Sequence, residues 1–560
     1  MVVRATMALL AASLLACSGN PQSNNIATTP ENNGATTTAP EPTPKPWNDG
    51  YGDAIGTVRF KTSCNAEADR YFGRGLALLH HMTYNGAAGV FDSAIEADPD
   101  CAIAYWGRAM TIIHPVWPDE PSDELLKQGW ELIQTAKQKS KANAVEKAWI
   151  AAVEGHLRDG SQHTKAERIH AFYGGWEKAH EQFPEDLETT AFYALALISS
   201  AKPTDKTYVQ QKEAAELARK ILEQIPDHPG GHHYLIHALD YPSLAAGALE
   251  AAHNYGKIAP DVAHALHMPS HIFTRVGHWH DSIEWNIRSR RAGLAHPIDG
   301  HVSHHYFHAV DYLVYAYLQT AQDKKALQAI EDMKKLTDPF LPHPGSAYAL
   351  AASEARYFVE TRQWDGAAAL AGRWPEQGFP WEKFPQLESI RHFARAMGAA
   401  HTKKFDLAKQ EIATMNKLKA ATKIPYWTKT IDVEIMSAEA WMFYLQGKKQ
   451  KALKKMQAAA DLESTYGKHP ITPSELLPAS ELLGEMLLEM KKPAEALKAF
   501  EQALQRSPNR FHSLAGAARA AAGADVAKAK KYYQALLELG AKAEGARPEL
   551  AEAEKFLAGK

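Results

Sequence analysis

The sequence is short of charge bias, of cysteine and of long apolar runs. Its 560 residues carry 62 Lys and Arg against 65 Asp and Glu, a formal charge of -3. A dedicated nucleic-acid binder shows a basic surplus, so no nucleic-acid partner is expected. After residue 16 no uncharged apolar stretch is long enough to span a bilayer. Only three cysteines occur, Cys17, Cys64 and Cys101, and no CxxC pair is among them. Also missing are a phosphate loop, a dinucleotide-binding fingerprint, a GxSxG nucleophile turn and an HExxH zinc-protease helix. Alternating β-branched runs are scarce, which argues against sheet. What remains is Ala- and Leu-rich sequence, 45% hydrophobic and 23% charged, the composition of a helical globular protein.

Residues 1–16 have the layout of a secretion signal. Arg4 supplies the positive end, and Met7 to Ala16 form an apolar run too short to cross a membrane. Leu14-Leu15-Ala16-Cys17 resembles a bacterial lipobox, which implies cleavage before Cys17 and lipidation of its thiol. Lipid chains hold such a protein to a membrane without a spanning helix. Ser18 follows the cysteine, which in Gram-negative lipoproteins resembles sorting to the outer membrane. The expected location is therefore the cell envelope, lipid-anchored and facing the periplasm, with plain secretion as the alternative. Residues 17–46, rich in Asn, Thr, Pro and Ser, read as a flexible tether. With Cys17 lipidated, Cys64 and Cys101 are left as a pair. In an exported protein they are expected as a disulfide, with two buried thiols as the alternative.

From residue 47 on the sequence repeats. The tetratricopeptide pattern is about 34 residues long, two antiparallel helices with small residues at their crossing and a closing proline. Tyr71, Gly75, Leu78, Ala87, Phe91, Ala94 and Pro99 match it. Leu483, Gly484, Leu487, Ala496, Phe500, Ala503 and Pro508 match it again. Further pairs are read around 102–135, 186–225, 229–262, 263–296, 307–340 and 511–540, with weaker matches between 345 and 475. The expected fold class is an all-α, tetratricopeptide-type α-solenoid. Its N-terminal superhelix is placed at 47–340 and a C-terminal helical region at 341–560. Each pair must bury its apolar face against neighbours, and the first helix of each unit lines the concave side.

Several stretches then point to a particular group: DPDCAIAYWGRAM (98–110), HPGGHHYLIHALDYP (228–242), HALHMPSHIFTRVG (264–277), HAVDYLVYAYLQ (308–319) and KHPITP (468–473). The chain resembles the bacterial tetratricopeptide-repeat lipoproteins that carry a histidine-rich HMPSHIF segment. The resemblance covers nearly all of the folded part and implies fold and location rather than an activity.

Fifteen of the 27 histidines lie between His228 and His308. Taking units that begin at Pro229 and Ala263, His233 and His237 hold the fifth and ninth places of one first helix. His267 and His271 hold the same places in the next. Residues four apart share a helix face. His264 extends the stripe by a turn. If the following first helix starts near Phe307, then His308, Asp311 and Tyr315 fall at the second, fifth and ninth places. The resemblance implies that these places line the groove. Imidazole is a common ligand of Zn, Cu, Fe and Ni, and Asp311 offers a carboxylate as ligand or orienting partner. His233, His237, His264, His267, His271, His308 and Asp311 are thus the expected metal set, with Tyr315 and His469 as ligand-binding residues. The competing readings are a metal-free groove for an anionic ligand, packing alone, and exposed, inert histidines. Pro269, between His267 and His271, is expected to kink its helix. His80, His81 and His114 read as satisfied helix residues, with facing the same hollow as the alternative, and Trp106, Trp117, Phe192 and Tyr193 as core, with a groove-side aromatic patch as the alternative.

The leading expectation is an envelope-anchored protein whose groove binds a metal ion, or a ligand through one. The alternatives are a metal-dependent hydrolase, with Asp311 or a spare histidine as base, and a metal-free scaffold for peptide or protein partners.

Overall fold

The computed structural model describes residues 47–559, apart from 48, 118, 203–204 and 546. The expected signal segment, Cys17 and the expected tether lie outside the described residues. Helices follow one another in antiparallel pairs. The stack begins with α1 (Ala66–His80) and α2 (Tyr84–Ala97), α3 (Ala102–Met110) and α4 (Asp123–Gln138), then α5 (Ala144–Leu157) and α6 (Lys165–Gln182). It continues with α7 (Leu187–Ser200) and α8 (Val209–Gln224), then α9 (Pro229–Leu239) and α10 (Leu249–Ile258). The next first helix is broken into α11 (Ala263–His267) and α12 (Pro269–Val276), packed on α13 (Trp279–Ala295). After it come α14 (His304–Gln319) and α15 (Asp323–Lys334), α16 (Pro344–Glu360) and α17 (Trp364–Ala369), and α18 (Pro385–His401) and α19 (Phe405–Ala421). The last pairs are α20 (Pro425–Leu445) and α21 (Lys449–Ser464), α22 (Ala479–Glu489) and α23 (Pro493–Arg506), and α24 (Phe511–Ala521) and α25 (Val526–Leu539). A final helix, α26 (Pro548–Leu557), covers the end. Among the described residues there is no strand, only two isolated bridges, Ile298–His301 and Val302–Phe340. The fold is an all-α, tetratricopeptide-type solenoid.

Local chemistry sets the pairs. Asn143 and Thr164 close capping boxes with Glu146 and Glu167 at the starts of α5 and α6. Prolines open α9, α12, α16 and α18 at a position where no amide hydrogen is needed. The turn inside many pairs is one recurring cap. Met82, Ala321, Arg362, Lys403 and Lys491 all take a left-handed backbone. The next amide then reaches back to a carbonyl five residues earlier, as in Thr83 to Leu78 (3.0 Å) and Gln322 to Tyr317 (2.8 Å). At Gly277 the same cap requires glycine, because a Cβ would come within 2.5 Å of the Pro508 carbonyl oxygen. The small residues read from the repeat do what the pattern predicts. A Cβ on Gly75 or Gly107 would meet Phe91 at 2.7 or 2.4 Å. Gly484 and Gly516 are held against Phe500 in the same way.

The weakly matched region is helical as read, paired as α16 to α21, and a further pair stands at 144–182. One expectation is corrected. The helix expected to start near Phe307 starts at His304, because the Ser303 hydroxyl accepts the His305 amide and caps it there. The boundary placed at 340 falls between α15 and α16, which both pack on α14. The chain from Trp47 on forms one compact body.

The C-terminal part of the chain folds back onto the helices around α14. Tyr312 donates to the carbonyls of Pro470 (3.1 Å) and Thr472 (3.2 Å). Arg356 donates to those of Ser474 and Glu475. Trp279 donates to Asn509 (2.8 Å), and the Glu544 amide donates to Ala321. The segment 468–475 and the last pairs therefore lie against α12 to α16. Cys64 and Cys101 form a disulfide with Cα atoms 5.0 Å apart, tying the segment before α1 to the start of α3.

Candidate metal centre

The new start of α14 resets its register. Counting from His304, His308 takes the fifth place and Tyr312 the ninth. His233 and His267 hold the fifth place of α9 and α11, and His237 and His271 the ninth. Three successive first helices thus aim equivalent side chains at one interior point. Six imidazoles converge there as two groups, His233, His237 and His264, and His267, His271 and His308. In each group, one ring nitrogen per residue lies within 4.8 Å of the others. The groups adjoin, with the His237 and His271 ring centres 6.5 Å apart. The helix break at Pro269 does not separate His267 from His271, whose Nε2 atoms are 3.2 Å apart.

The hydrogen bonds behind the rings fix their tautomers. His233 Nδ1 is 2.6 Å from the His80 carbonyl oxygen, which can only accept, so the proton is on Nδ1. His271 Nδ1 faces Asp240 Oδ2 at 3.1 Å, and Arg275 holds the other oxygen of that carboxylate at 2.7 Å. Burial opposes the Asp240 charge, but Arg275 prevails and holds the carboxyl well below the usual range. The carboxylate accepts, so His271 donates from Nδ1. His267 Nδ1 meets Asn286 Oδ1 at 2.8 Å. The Asn286 amide nitrogen donates to the Ser282 carbonyl and to Ser270 Oγ, which sets which end faces the ring. His267 therefore donates from Nδ1 as well.

Each of these neutral rings is left with a bare lone pair on Nε2. The His267 and His271 lone pairs face each other at 3.2 Å. His233 Nε2 faces His264 Nε2 at 3.1 Å. Two nitrogens on a tetrahedral ion, with bonds of about 2.0–2.1 Å, sit about 3.3–3.4 Å apart. His308 Nδ1 and His237 Nε2 have no hydrogen-bond partner and complete the two groups. All six imidazoles are kept neutral. Burial pushes His237 down to about 3, and burial with neighbouring imidazoles pushes His233, His264, His267 and His308 well below their usual value. Burial also lowers His271, against the pull of Asp240.

A third buried group shows what a structural cluster looks like. His80 and His228 both point Nε2 at Glu188 Oε2, at 2.8 and 3.1 Å. His80 Nδ1 meets the Tyr234 hydroxyl, and His228 Nδ1 accepts the Gly231 amide. Every ring nitrogen has a partner, and the two imidazoles overcome the effect of burial to hold Glu188 well below its usual range. No lone pair is left over.

The remaining expected residues are elsewhere. Asp311 is in neither group and faces Arg356 Nη2 at 3.6 Å; burial pushes its carboxyl up to about 6. The Tyr315 hydroxyl accepts from Arg510, and its ring packs edge-on against Trp279. Both miss the stripe because their helix begins three residues early. His469 accepts the Ile471 amide and lies against Tyr426 and Trp427, inside the 468–475 segment. His80, the last residue of α1, and His81, its cap, are fully buried with both nitrogens bonded. Trp106 and Phe192 are core. Sequence reasoning missed Asp240 and Asn286, which orient the His271 and His267 rings. It also missed His304, His305 and His343, which lie beside His264 around Trp117. A cavity of about 510 Å³ lined by Trp117, His264, His304, His305 and His343 reaches from the surface to the first group.

Fold and site together define an all-α tetratricopeptide-type solenoid with a buried, pre-oriented imidazole cluster. No protein-family model and no curated protein matches the chain. Among solved structures it is similar to YrrB, a TPR protein with an unusual peptide-binding site, at 19% identity. That match covers 36% of this chain and 90% of YrrB, with a TM-score of 0.20. It is also similar to the APC/C hetero-tetramer Cut9–Hcn1, at 12% identity over 88% of this chain and 76% of that one, with a TM-score of 0.34. At these scores neither likeness bears on what the chain does.

Proposed function

We propose that this protein is an envelope-anchored solenoid that binds transition-metal ions, one at His233, His237 and His264 and one at His267, His271 and His308. The observation that carries the reading is the pair of Nε2 lone pairs on His267 and His271, 3.2 Å apart, on rings whose Nδ1 protons are already committed. Two facing lone pairs in a dry interior are costly unless a cation lies between them. A proton is a poor candidate, because burial and the nearby Lys468 oppose a charged imidazole there. Coordination to several nitrogens at once is worth far more than one proton, on the order of 10–16 kcal/mol in structural zinc sites. The donor set is all imidazole, which suits zinc and copper and is unsuited to calcium or magnesium. Carboxylate and carbonyl acceptors behind metal-bound histidines raise their basicity and hold their rings, the role proposed for Asp240 and the His80 carbonyl.

The chain's own segment 468–475 already packs on Tyr312 of α14 and Arg356 of α16, which favours a metal-binding reading over a peptide scaffold at that face. The anchor at Cys17 is part of the proposal and rests on the lipobox-like Leu14–Cys17 stretch. The test is metal content. Protein made without a histidine tag, stripped and reloaded, is expected to retain two ions per chain by elemental analysis. His233→Ala and His267→Ala are each expected to retain one. A wild-type content near zero with zinc, copper, nickel and iron would overturn the reading.

A further inference from the structure

The cavity beside the first imidazole group has a chemistry of its own. Thr83 heads α2, a helix of 14 residues, yet gives it no side-chain cap. Its hydroxyl is buried with no partner, although the residue is only 8% exposed. His343 accepts the Gly345 amide on Nδ1, so its Nε2 carries the proton, and that N–H has no acceptor. Both nitrogens of His304 are also without partners, and its ring centre is 4.0 Å from that of His343. His264, 6% exposed, has an unpartnered Nδ1. All four residues line the same cavity. Asp49 is on its wall but is held by two bonds from Arg74, at 2.6 and 2.9 Å. Asp119 is held by His114 through Oδ2 at 2.6 Å, and its Oδ1 has no partner. Asp299 is exposed and its carboxylate faces no such partner, so it belongs to the rim.

We infer that this cavity binds a small oxyanion, a carboxylate or phosphate group, and that it does so in the metal-loaded protein. The inference rests on the metal reading above. The Thr83 hydroxyl, the His343 Nε2–H and one His304 N–H are donors on one space beside a helix N-terminus that has no side-chain cap, and they outnumber the one open carboxylate oxygen of Asp119; such a set complements oxygens bearing negative charge. The dependence on metal follows from His264. Without an ion, His233 Nε2 is a lone pair, so His264 donates its proton from Nε2 across the 3.1 Å gap. His264 Nδ1 is then a lone pair and repels an anion. Once an ion takes both Nε2 atoms, the His264 proton resides on Nδ1 and points a donor at the cavity. The ring stays neutral and no proton is gained or lost. Metal and oxyanion therefore help each other bind, by the same factor in both directions.

The test uses the whole protein, zinc-loaded and metal-stripped, titrated calorimetrically with inorganic phosphate and with acetate, while zinc content is measured separately on the same samples. The expected result is binding of at least one of the two, about tenfold tighter in the loaded form. Thr83→Val and His304→Ala are expected to keep full zinc content and weaken that binding by about tenfold. If zinc is bound but neither anion binds, or binding is equal in both forms, or neither variant changes it, the cavity inference is overturned and the metal reading stands. If none of zinc, copper, nickel or iron is taken up, the metal reading itself fails and this inference goes with it.

Discussion

His271 donates Nδ1–H to Asp240, a residue in the turn after the preceding first helix, 31 positions earlier in the chain. Arg275, one turn further along the helix that carries His271, grips the other oxygen of the same carboxylate. The ring is therefore aimed by a partner outside the repeat stripe. Asp240→Asn keeps the shape but removes the charge that supports the imidazole. Metal affinity at the His267 group is expected to fall about 10- to 100-fold, with the fold intact. A competition titration against a metallochromic chelator measures it; unchanged affinity would contradict the orienting role.

Buried neutral histidines also set how stability responds to acid. Burial pushes His81 down to about 3 and His156 down to about 4. In the unfolded chain each takes up a proton below about pH 6.5. Between that pH and the folded values the unfolded state binds more protons, so stability falls as pH falls. Each such group contributes a slope of up to about 1.4 kcal/mol per pH unit. Glu434, pushed up to about 8 by burial, acts in the opposite sense, as do Glu463 and Glu485 near 7, but buried histidines outnumber them. Metal-free protein is expected to lose Tm steadily from pH 6.5 to pH 5. A Tm that holds or rises over that range in differential scanning calorimetry would contradict this account.

The disulfide is expected to stabilise without touching the site. It closes a loop over a separation of 37 residues, worth about 4 kcal/mol in the chain-entropy model. A Cys64→Ser, Cys101→Ser double variant should unfold at lower denaturant concentration and keep its full metal content. Loss of metal in that variant, measured while it is still folded, would contradict the separation of the two roles.

Arg510 is fully buried and bonds Glu481 through two nitrogens, at 2.8 and 3.0 Å, and Glu360 at 2.5 Å. It also donates to Tyr315, so it locks α24 to α14, α16 and α22. Arg510→Met removes the close cation from two buried carboxylates, leaving Glu481 with only Ser513 and Arg362 at 4.0 Å, an expected loss of about 3–5 kcal/mol. Arg510→Met combined with Glu481→Gln should recover part of it. A single variant as stable as wild type in urea unfolding would show that the network does not hold the closure.

Much of the architecture was legible because repeat geometry is written in sequence. Gly75 with Phe91, and Gly484 with Phe500, announce a wedge and the space it fills. The 34-residue offset from His233 to His267 and from His237 to His271 announces two rings in matching orientation. The third helix was misread because its start was inferred from a small crossing residue, whereas the Ser303 cap decides it. That shift of three residues moved Asp311 and Tyr315 off the stripe and brought Tyr312 onto it. Asp240 and Asn286 were not legible at all. They orient His271 and His267 from a turn and a second helix, positions that no repeat rule marks. The packing of 468–475 on α14 and α16 was also hidden, since it depends on contacts between residues more than 100 positions apart, such as Tyr312 with Thr472 and Arg356 with Ser474.

The central claim is that imidazoles from neighbouring helices share a metal ion through Nε2. X-ray absorption spectroscopy of the zinc-loaded protein tests it most directly. The account predicts a shell of nitrogen scatterers at about 2.0–2.1 Å with the outer-shell signature of several imidazoles, with amplitude that drops in His267→Ala. A shell dominated by water or carboxylate oxygen without imidazole scattering, or one unchanged in that variant, would contradict it.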